Sequence, residues 1–172
     1  MEVDNTRELL LRLDEGEIDF ALVEGFFKKS EYESQVYSVE NYIAVCSPDY
    51  QFREEPVSVE DLFQERLLLR EEGSGTREVL ERYLSAKNLS LGDFRKVMEA
   101  GSLQTIKELT KAGCGITFLY EVAVRRELAD GVLKRIPLED FHISHEFAFI
   151  WRRGSIYADR YRELFRRFSP AG

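Results

Sequence analysis

The chain has 172 residues and a formal net charge of −8, with 24 Lys and Arg residues against 32 Asp and Glu residues. This length suits one domain or two small lobes, and an apolar content of 44% is typical of a globular protein. The negative net charge argues against direct binding of nucleic acid by this chain alone, because phosphate binding needs a basic face.

The N-terminal sequence and the cysteines bear on location and chemistry. Cys46 and Cys114 lack the spacing of metal ligands, so two reduced, buried thiols are expected. The start is acidic without an apolar h-region, and no stretch approaches about 18 apolar residues. We therefore expect a cytoplasmic protein without a membrane span, provided that Met1 is the true start. No metal cluster or nucleophile–base pair is visible, so neither a cofactor nor enzymatic activity is expected.

Helices and strands alternate along the sequence. A first helix begins after Asn5, which is spaced with Glu8 for a capping box, and ends at Gly16. A strand buried on both faces is predicted at residues 18–23, and a long strand at 37–46. The next predicted elements are a short helix at 59–63, a strand at 67–69, a helix after 76, a strand at 94–98 and a helix ending at Gly113.

The last predicted elements are a strand at 115–120, a helix at 121–130, strands at 132–136 and 145–152, and a closing helix. That closing helix carries an apolar stripe predicted to be core, formed by Tyr161, Leu164, Phe165 and Phe168. The alternation predicts an α/β fold with mostly parallel sheets.

A turn rich in glycine, residues 73–76, joins the apolar strand 67–69 to the helix that follows. The first N–H groups of a helix have no internal partner and carry partial positive charge, so this junction suits an anion. The predicted ligand groups are backbone N–H groups, two hydroxyls and one cation, from Ser74, Gly75, Thr76 and Arg77. The alternative is a capped helix start with no ligand, and a salt-bridged or solvated arginine. No nucleotide-binding fingerprint is present.

A second junction of the same kind follows the strand at 94–98. Its predicted ligand groups are Gly101, Ser102 and Thr105, and the alternative for the two hydroxyls is plain N-capping. Both junctions would lie at the carboxyl ends of strands, where open α/β sheets bind their ligands. Two such helix N-termini facing one cleft would bind a small anion.

Together, these features resemble the effector-binding domain of LysR-type transcriptional regulators. The segments that carry the resemblance are Gly-Glu-Ile-Asp-Phe-Ala-Leu-Val at 16–23, Glu-Asn-Tyr-Ile-Ala-Val at 40–45, Arg-Glu-Glu-Gly-Ser-Gly-Thr-Arg at 70–77, Gly-Ser-Leu-Gln-Thr-Ile at 101–106 and Ala-Gly-Cys-Gly-Ile-Thr at 112–117. They occur in the family's order and span almost the whole chain.

The resemblance implies a fold like the type 2 periplasmic binding proteins, with two Rossmann-like lobes joined by a two-strand hinge. Lobe I would hold residues 1–47 and 147–172, and lobe II residues 48–146. Lobe I would be incomplete, because the family's first strand–helix unit is missing. The implied effector pocket lies between the lobes and uses Ser74, Gly75, Thr76, Arg77, Gly101, Ser102 and Thr105.

The resemblance also implies a function. The chain would be the sensing half of a bacterial transcription regulator that binds a small anionic effector, such as a carboxylate, sulfate or phosphorylated metabolite. DNA would be bound only through an N-terminal helix-turn-helix that is missing here, within a homodimer or homotetramer. The alternatives are a solute-binding module of the same fold and an enzyme built on that scaffold.

Overall fold

The structure of the protein is a computed structural model that describes residues 3–168. The described residues form the helices α1 (Thr6–Glu15), α2 (Gly75–Ala86), α3 (Leu103–Lys111), α4 (Glu121–Ala129) and α5 (Ala158–Phe168). The strands are β1 (Phe20–Val23), β2 (Tyr32–Cys46), β3 (Arg66–Arg70), β4 (Lys96–Ala100), β5 (Ile116–Tyr120), β6 (Lys134–Arg135) and β7 (Ile143–Arg152). Short 3₁₀ helices occupy Glu60–Gln64 and Leu91–Asp93.

The described residues divide into two compact units. The first holds residues 3–39, 73–75 and 145–168, and the second holds 40–72 and 76–144. Strands β2 and β7 are the two strands that run from one unit into the other. The lobe limits implied by the resemblance remain a prediction.

The caps of α1 are those that the sequence predicts. The side chain of Asn5 accepts a hydrogen bond from the backbone N–H of Glu8 at 3.0 Å. Gly16 closes the helix with a φ of 76° and donates to the carbonyls of Arg12 and Leu13. A left-handed residue at this position favours glycine, so local sequence alone fixes both ends of the helix.

The first unit is built on an antiparallel pair, β1 with β7, in which Phe20 faces Trp151. Side chains of β7 alternate between two apolar clusters, as a strand requires. Ile150 packs with Leu13 of α1 in one cluster, and Trp151 packs with Tyr161 of α5 in the other. The sheet of this unit therefore has a helix packed on each face.

Two expectations about burial in this unit are wrong. Strand β1 is not buried on both faces, because Leu22 is 45% exposed. The cluster around α5 packs against Phe20 but does not reach Leu22. In α5, Phe168 is 61% exposed, since it lies in the last turn, beyond the part of the apolar stripe that packs against β7.

The second unit combines parallel and antiparallel strands. Strand β3 pairs in parallel with β4 and β5, whereas β2 pairs antiparallel with β5 and β6. The expectation of mostly parallel sheets is therefore wrong, because β1, β2, β6 and β7 all pair in the antiparallel sense. The core of this unit contains Val45, Leu68, Ile106, Leu119 and Val124.

Several element boundaries also differ from those predicted, most clearly those of β2 and β4. Strand β2 begins at Tyr32 instead of residue 37. Strand β4 begins at Lys96, after Phe94, whose ring packs edge-on against Phe63 with centroids 4.9 Å apart. A short apolar run does not reveal which of its residues pair with a neighbouring strand.

Candidate functional site

The start of α2 contains a buried serine that does not cap its helix. Strand β3 ends at Arg70, and Ser74 directly precedes the first helical residue, Gly75. A serine in this position normally accepts a hydrogen bond from an N–H of the first turn. Here Ser74 is 1% exposed and its Oγ has no hydrogen-bond partner. A buried hydroxyl without a hydrogen-bond partner lowers stability by about 1–3 kcal/mol, so a partner for Ser74 Oγ would be stabilising.

Gly75 is needed because the backbone of another segment approaches it closely. A Cβ on Gly75 would lie 2.1 Å from the carbonyl oxygen of Glu24, a distance that no side chain permits. Thr6 Oγ1 donates to the same carbonyl at 2.5 Å, and the N–H of Arg7 donates to the carbonyl of Gly73 at 3.2 Å. The turn is therefore held against the first turn of α1.

A buried hydrogen bond holds Thr76, the second residue of α2. Thr76 is 4% exposed, and its carbonyl accepts a hydrogen bond of 2.7 Å from the hydroxyl of Tyr42, which is itself 1% exposed. A buried hydrogen bond of this length limits movement of the helix start. The N–H groups of this turn therefore have a defined direction.

Arg77 already has two carboxylate partners. Its Nε lies 2.7 Å from Glu81 Oε1, and its Nη1 lies 2.6 Å from Glu99 Oε2. Partial burial acts to lower the pKa of Arg77, but the hydrogen bonds and charges of Glu81 and Glu99 outweigh it, so the pKa is raised. An effector contact from Arg77 stays a prediction, and it requires the guanidinium to share or exchange a carboxylate.

The second predicted junction matches plain capping. Ser102 is exposed and its Oγ accepts a hydrogen bond of 3.4 Å from the N–H of Thr105. A Cβ added to Gly101 would meet nothing within 4 Å. The polar groups of this junction are therefore satisfied locally or open to water, and their contact with an effector stays a prediction.

The strands that precede the two predicted junctions end at the same edge of the second unit. Strands β3 and β4 run in parallel and Arg70 pairs with Ala100, so both strands end together. The ion pair between Arg77 and Glu99 joins the first turn of α2 to the end of β4. Both helices therefore follow the carboxyl ends of neighbouring parallel strands, and the meeting of their N-termini at one cleft stays a prediction.

Sequence reasoning missed the residues that position this turn. Thr6, Glu24 and Tyr42 reach it from elements far away in the chain. None of them belongs to a local motif that marks such a role, because pairing between distant segments leaves no periodic signal.

Metal binding and membrane insertion are not indicated in the part of the chain that the structure describes. Within residues 3–168, no group of three or more His, Cys, Asp or Glu side chains is placed to hold a metal ion. None of the helices in that range is long and apolar enough to cross a membrane.

Comparison with known families decides the identity of the domain. The LysR substrate binding domain family matches residues 1–169. The chain belongs to this family. It is therefore the effector-binding domain of a LysR-type regulator, as the five sequence segments indicate.

Curated relatives of this LysR domain include transcription regulators. An uncharacterized HTH-type transcriptional regulator of Methanocaldococcus jannaschii is 30% identical over 132 residues, which are 76% of this chain and 44% of that protein. The RuBisCO operon transcriptional regulator of Allochromatium vinosum is 25% identical over 172 residues, covering 99% of this chain and 52% of that protein. The LysR domain thus spans about half the length of these relatives, and the expectation that it is not an enzyme is confirmed.

Solved structures show the fold. The regulatory domain of CcmR from Synechocystis, in complex with 2-PG, superposes with a TM-score of 0.79 at 19% identity and covers 96% of this chain and 80% of that one. The effector binding domain of QuiR, in complex with shikimate, gives 0.76 at 12% identity and covers 96% and 78%. The predicted α/β class, with its periplasmic-binding-protein-like lobes and two connecting strands, is confirmed.

Proposed function

We propose that this LysR domain senses a small anionic metabolite at the first turn of α2. The observation that carries the proposal is the hydroxyl of Ser74, which is buried and lacks a partner beside a helix N-terminus. A ligand oxygen there would accept a hydrogen bond from Ser74 and remove the cost of the unpaired group.

An anion fits this position better than a cation does. Helix α2 has 12 residues, and its N-terminal N–H groups and dipole favour negative charge. Arg77, in the first turn of α2, supplies a cation if it exchanges Glu99 for the ligand.

The ligands of the structural neighbours belong to a compatible chemical class. CcmR was solved with 2-PG and QuiR with shikimate. We infer a small, polar, negatively charged effector for this domain as well, with Ser74, Gly75, Thr76 and Arg77 as its first contacts. Gly101, Ser102 and Thr105 would form contacts from the end of β4.

We propose that the bound effector controls DNA binding by an N-terminal helix-turn-helix outside this chain. The net charge of −8 disfavours direct contact with DNA, and relatives about twice as long are named as HTH-type or transcriptional regulators. An effector shifts such an equilibrium only through different affinities for two arrangements of the protein. A cytoplasmic homodimer or homotetramer would carry this regulation.

The test is calorimetric titration of the protein with sulfate, inorganic phosphate, 2-PG and shikimate. For each anion that binds, Ser74→Ala should weaken the affinity by about tenfold, equivalent to about 1.4 kcal/mol. Ser90→Ala is the matched control, because it removes an exposed hydroxyl that is bonded to Asp93 and belongs to neither junction, and its effect should stay below about threefold. Unchanged affinity in Ser74→Ala would exclude this site.

A further inference from the structure

A cavity of about 380 Å³ lies entirely within the first unit. Its volume falls within the range of about 300–1,000 Å³ that is typical of small-molecule sites. Its walls come from the beginning of β2, the end of β7 and the middle of α5, and they include Tyr32, Gln35, Trp151 and Arg162. None of the lining residues belongs to the turn at 73–77.

Two buried polar atoms of the cavity walls lack partners. The indole Nε1 of Trp151 is a donor without an acceptor, and Trp151 is only 1% exposed. The amide Oε1 of Gln35 is an acceptor without a donor. Each such atom costs free energy unless a bound molecule satisfies it. One donor and one acceptor on lining residues define the polar pattern of a complementary ligand.

The charges around the cavity are predominantly positive. Arg162 is neutralised by Glu33, at 2.6 Å, and its guanidinium lies 5.7 Å from the ring centroid of Trp151. Arg153 donates instead to the backbone carbonyls of Lys29, Ser30 and Tyr32, so its charge faces neutral oxygen atoms. Lys29 adds a second cation at the exposed rim.

We propose that this cavity is a second ligand site, and that it binds a small hydroxycarboxylate. The carboxylate would accept a hydrogen bond from Trp151 Nε1 and face the positive charges of Arg153 and Lys29. The hydroxyl would donate to Gln35 Oε1. A molecule with only a carboxylate leaves Gln35 Oε1 without a donor. A neutral alcohol is not attracted by the positive charges of Arg153 and Lys29.

The experiment uses the fluorescence of Trp151, which is the single tryptophan of the chain and lies in the wall of this cavity. Malate is the probe, and succinate is its matched control because it lacks only the hydroxyl. We expect a saturable change in emission with malate, and an affinity for succinate that is lower by about tenfold or more.

Three variants assign the response to the cavity. Gln35→Met keeps the length of the side chain and should abolish the preference for malate over succinate. Trp151→Phe, followed by calorimetry, should weaken malate binding by about tenfold. Ser74→Ala should leave the malate response unchanged, since that side chain belongs to the other proposed site.

The proposal is overturned by any of four results. The first is that malate up to about 10 mM causes no saturable change in emission, and the second is that malate and succinate bind with equal affinity. The third is that Gln35→Met still prefers malate over succinate. The fourth is that Ser74→Ala removes the response to malate. The last result would place malate at α2 and would support the function proposed there, so failure of the two proposals can be told apart.

Discussion

The starts of α2 and α3 share a Gly-Ser dipeptide but differ in chemistry. Each follows a parallel strand and places a glycine and a serine before the helix. Ser102 is exposed and caps α3 through the N–H of Thr105, whereas Ser74 is buried and caps nothing. A serine thus caps α3, whereas the serine before α2 has a hydroxyl without a hydrogen-bond partner.

The difference originates in tertiary contacts. The turn before α2 is pressed against the carbonyl of Glu24 at Gly75, whereas Gly101 has open space around it. A serine that is free to rotate in water finds the N–H groups of its own helix, and one that is enclosed by packing does not. Enclosure and an unsatisfied hydroxyl together distinguish a candidate ligand site from an ordinary helix cap.

The largest effect on stability is expected from a substitution that disrupts the close packing at Gly75. Gly75→Ala would push a methyl group into the carbonyl of Glu24, and we expect the free energy of unfolding to fall by about 3 kcal/mol. Gly101→Ala is the matched control, with an expected change within about 0.5 kcal/mol. Urea denaturation of both variants measures the contrast. Equal effects would show that the turn before α2 is no more tightly packed than the turn before α3.

The second prediction concerns the other end of α2. Tyr83 of this helix and Lys87, just after its end, both donate to the carboxylate of Asp140, whose Oδ1 also accepts from the N–H of Val59 at 3.0 Å. We expect Asp140→Asn to lower the free energy of unfolding by about 2 kcal/mol at neutral pH, because it weakens charge-assisted hydrogen bonds. Urea denaturation gives this value directly.

The pH dependence of that effect provides its control. Burial acts to raise the pKa of Asp140, but the hydrogen bonds from Lys87, Tyr83 and Val59 outweigh it, so the pKa lies below its usual value. A carboxylate with a lowered pKa contributes its full stability above about pH 5 and loses it as the pH falls through the folded-state pKa. The difference between wild type and Asp140→Asn should therefore shrink toward pH 3. A constant difference would contradict this role of the charge.

The third prediction concerns the cap of α3. Ser102→Ala removes the acceptor for the N–H of Thr105, so we expect the free energy of unfolding to fall by about 1 kcal/mol. Ser102→Asp, which retains an acceptor at the helix start, should restore that loss. If Ser102→Ala leaves the free energy of unfolding unchanged, the hydrogen bond of 3.4 Å does not stabilise α3. Ser102 would then not serve as the capping serine with which Ser74 is compared.

Features set by neighbouring residues could be predicted from the sequence. The caps of α1 at Asn5 and Gly16 and the order of the strands and helices follow from short-range chemistry. The position of Ser74 before a helix was predictable for the same reason. Family resemblance added the two-lobed fold, which periodicity alone does not specify.

Features set by distant contacts could not be predicted. The exposure of Leu22 depends on how far the α5 cluster extends, and the unpaired state of Ser74 depends on a turn held against α1. The cavity containing Gln35 and Trp151 requires β2 and β7 to be brought together, and nothing in either segment marks it. Sequence patterns locate polar groups, and only the fold shows which of them lack partners.

The most direct test of this account is the free energy of unfolding of Ser74→Ala in the absence of ligand. If the hydroxyl is buried without a partner, removing it should raise the free energy of unfolding by about 1 kcal/mol, opposite in sign to Ser102→Ala. Urea denaturation of the wild type and both variants in an anion-free buffer gives the comparison. A loss of about 1 kcal/mol in Ser74→Ala would mean that the hydroxyl already caps α2, and the proposed effector site would lose its basis.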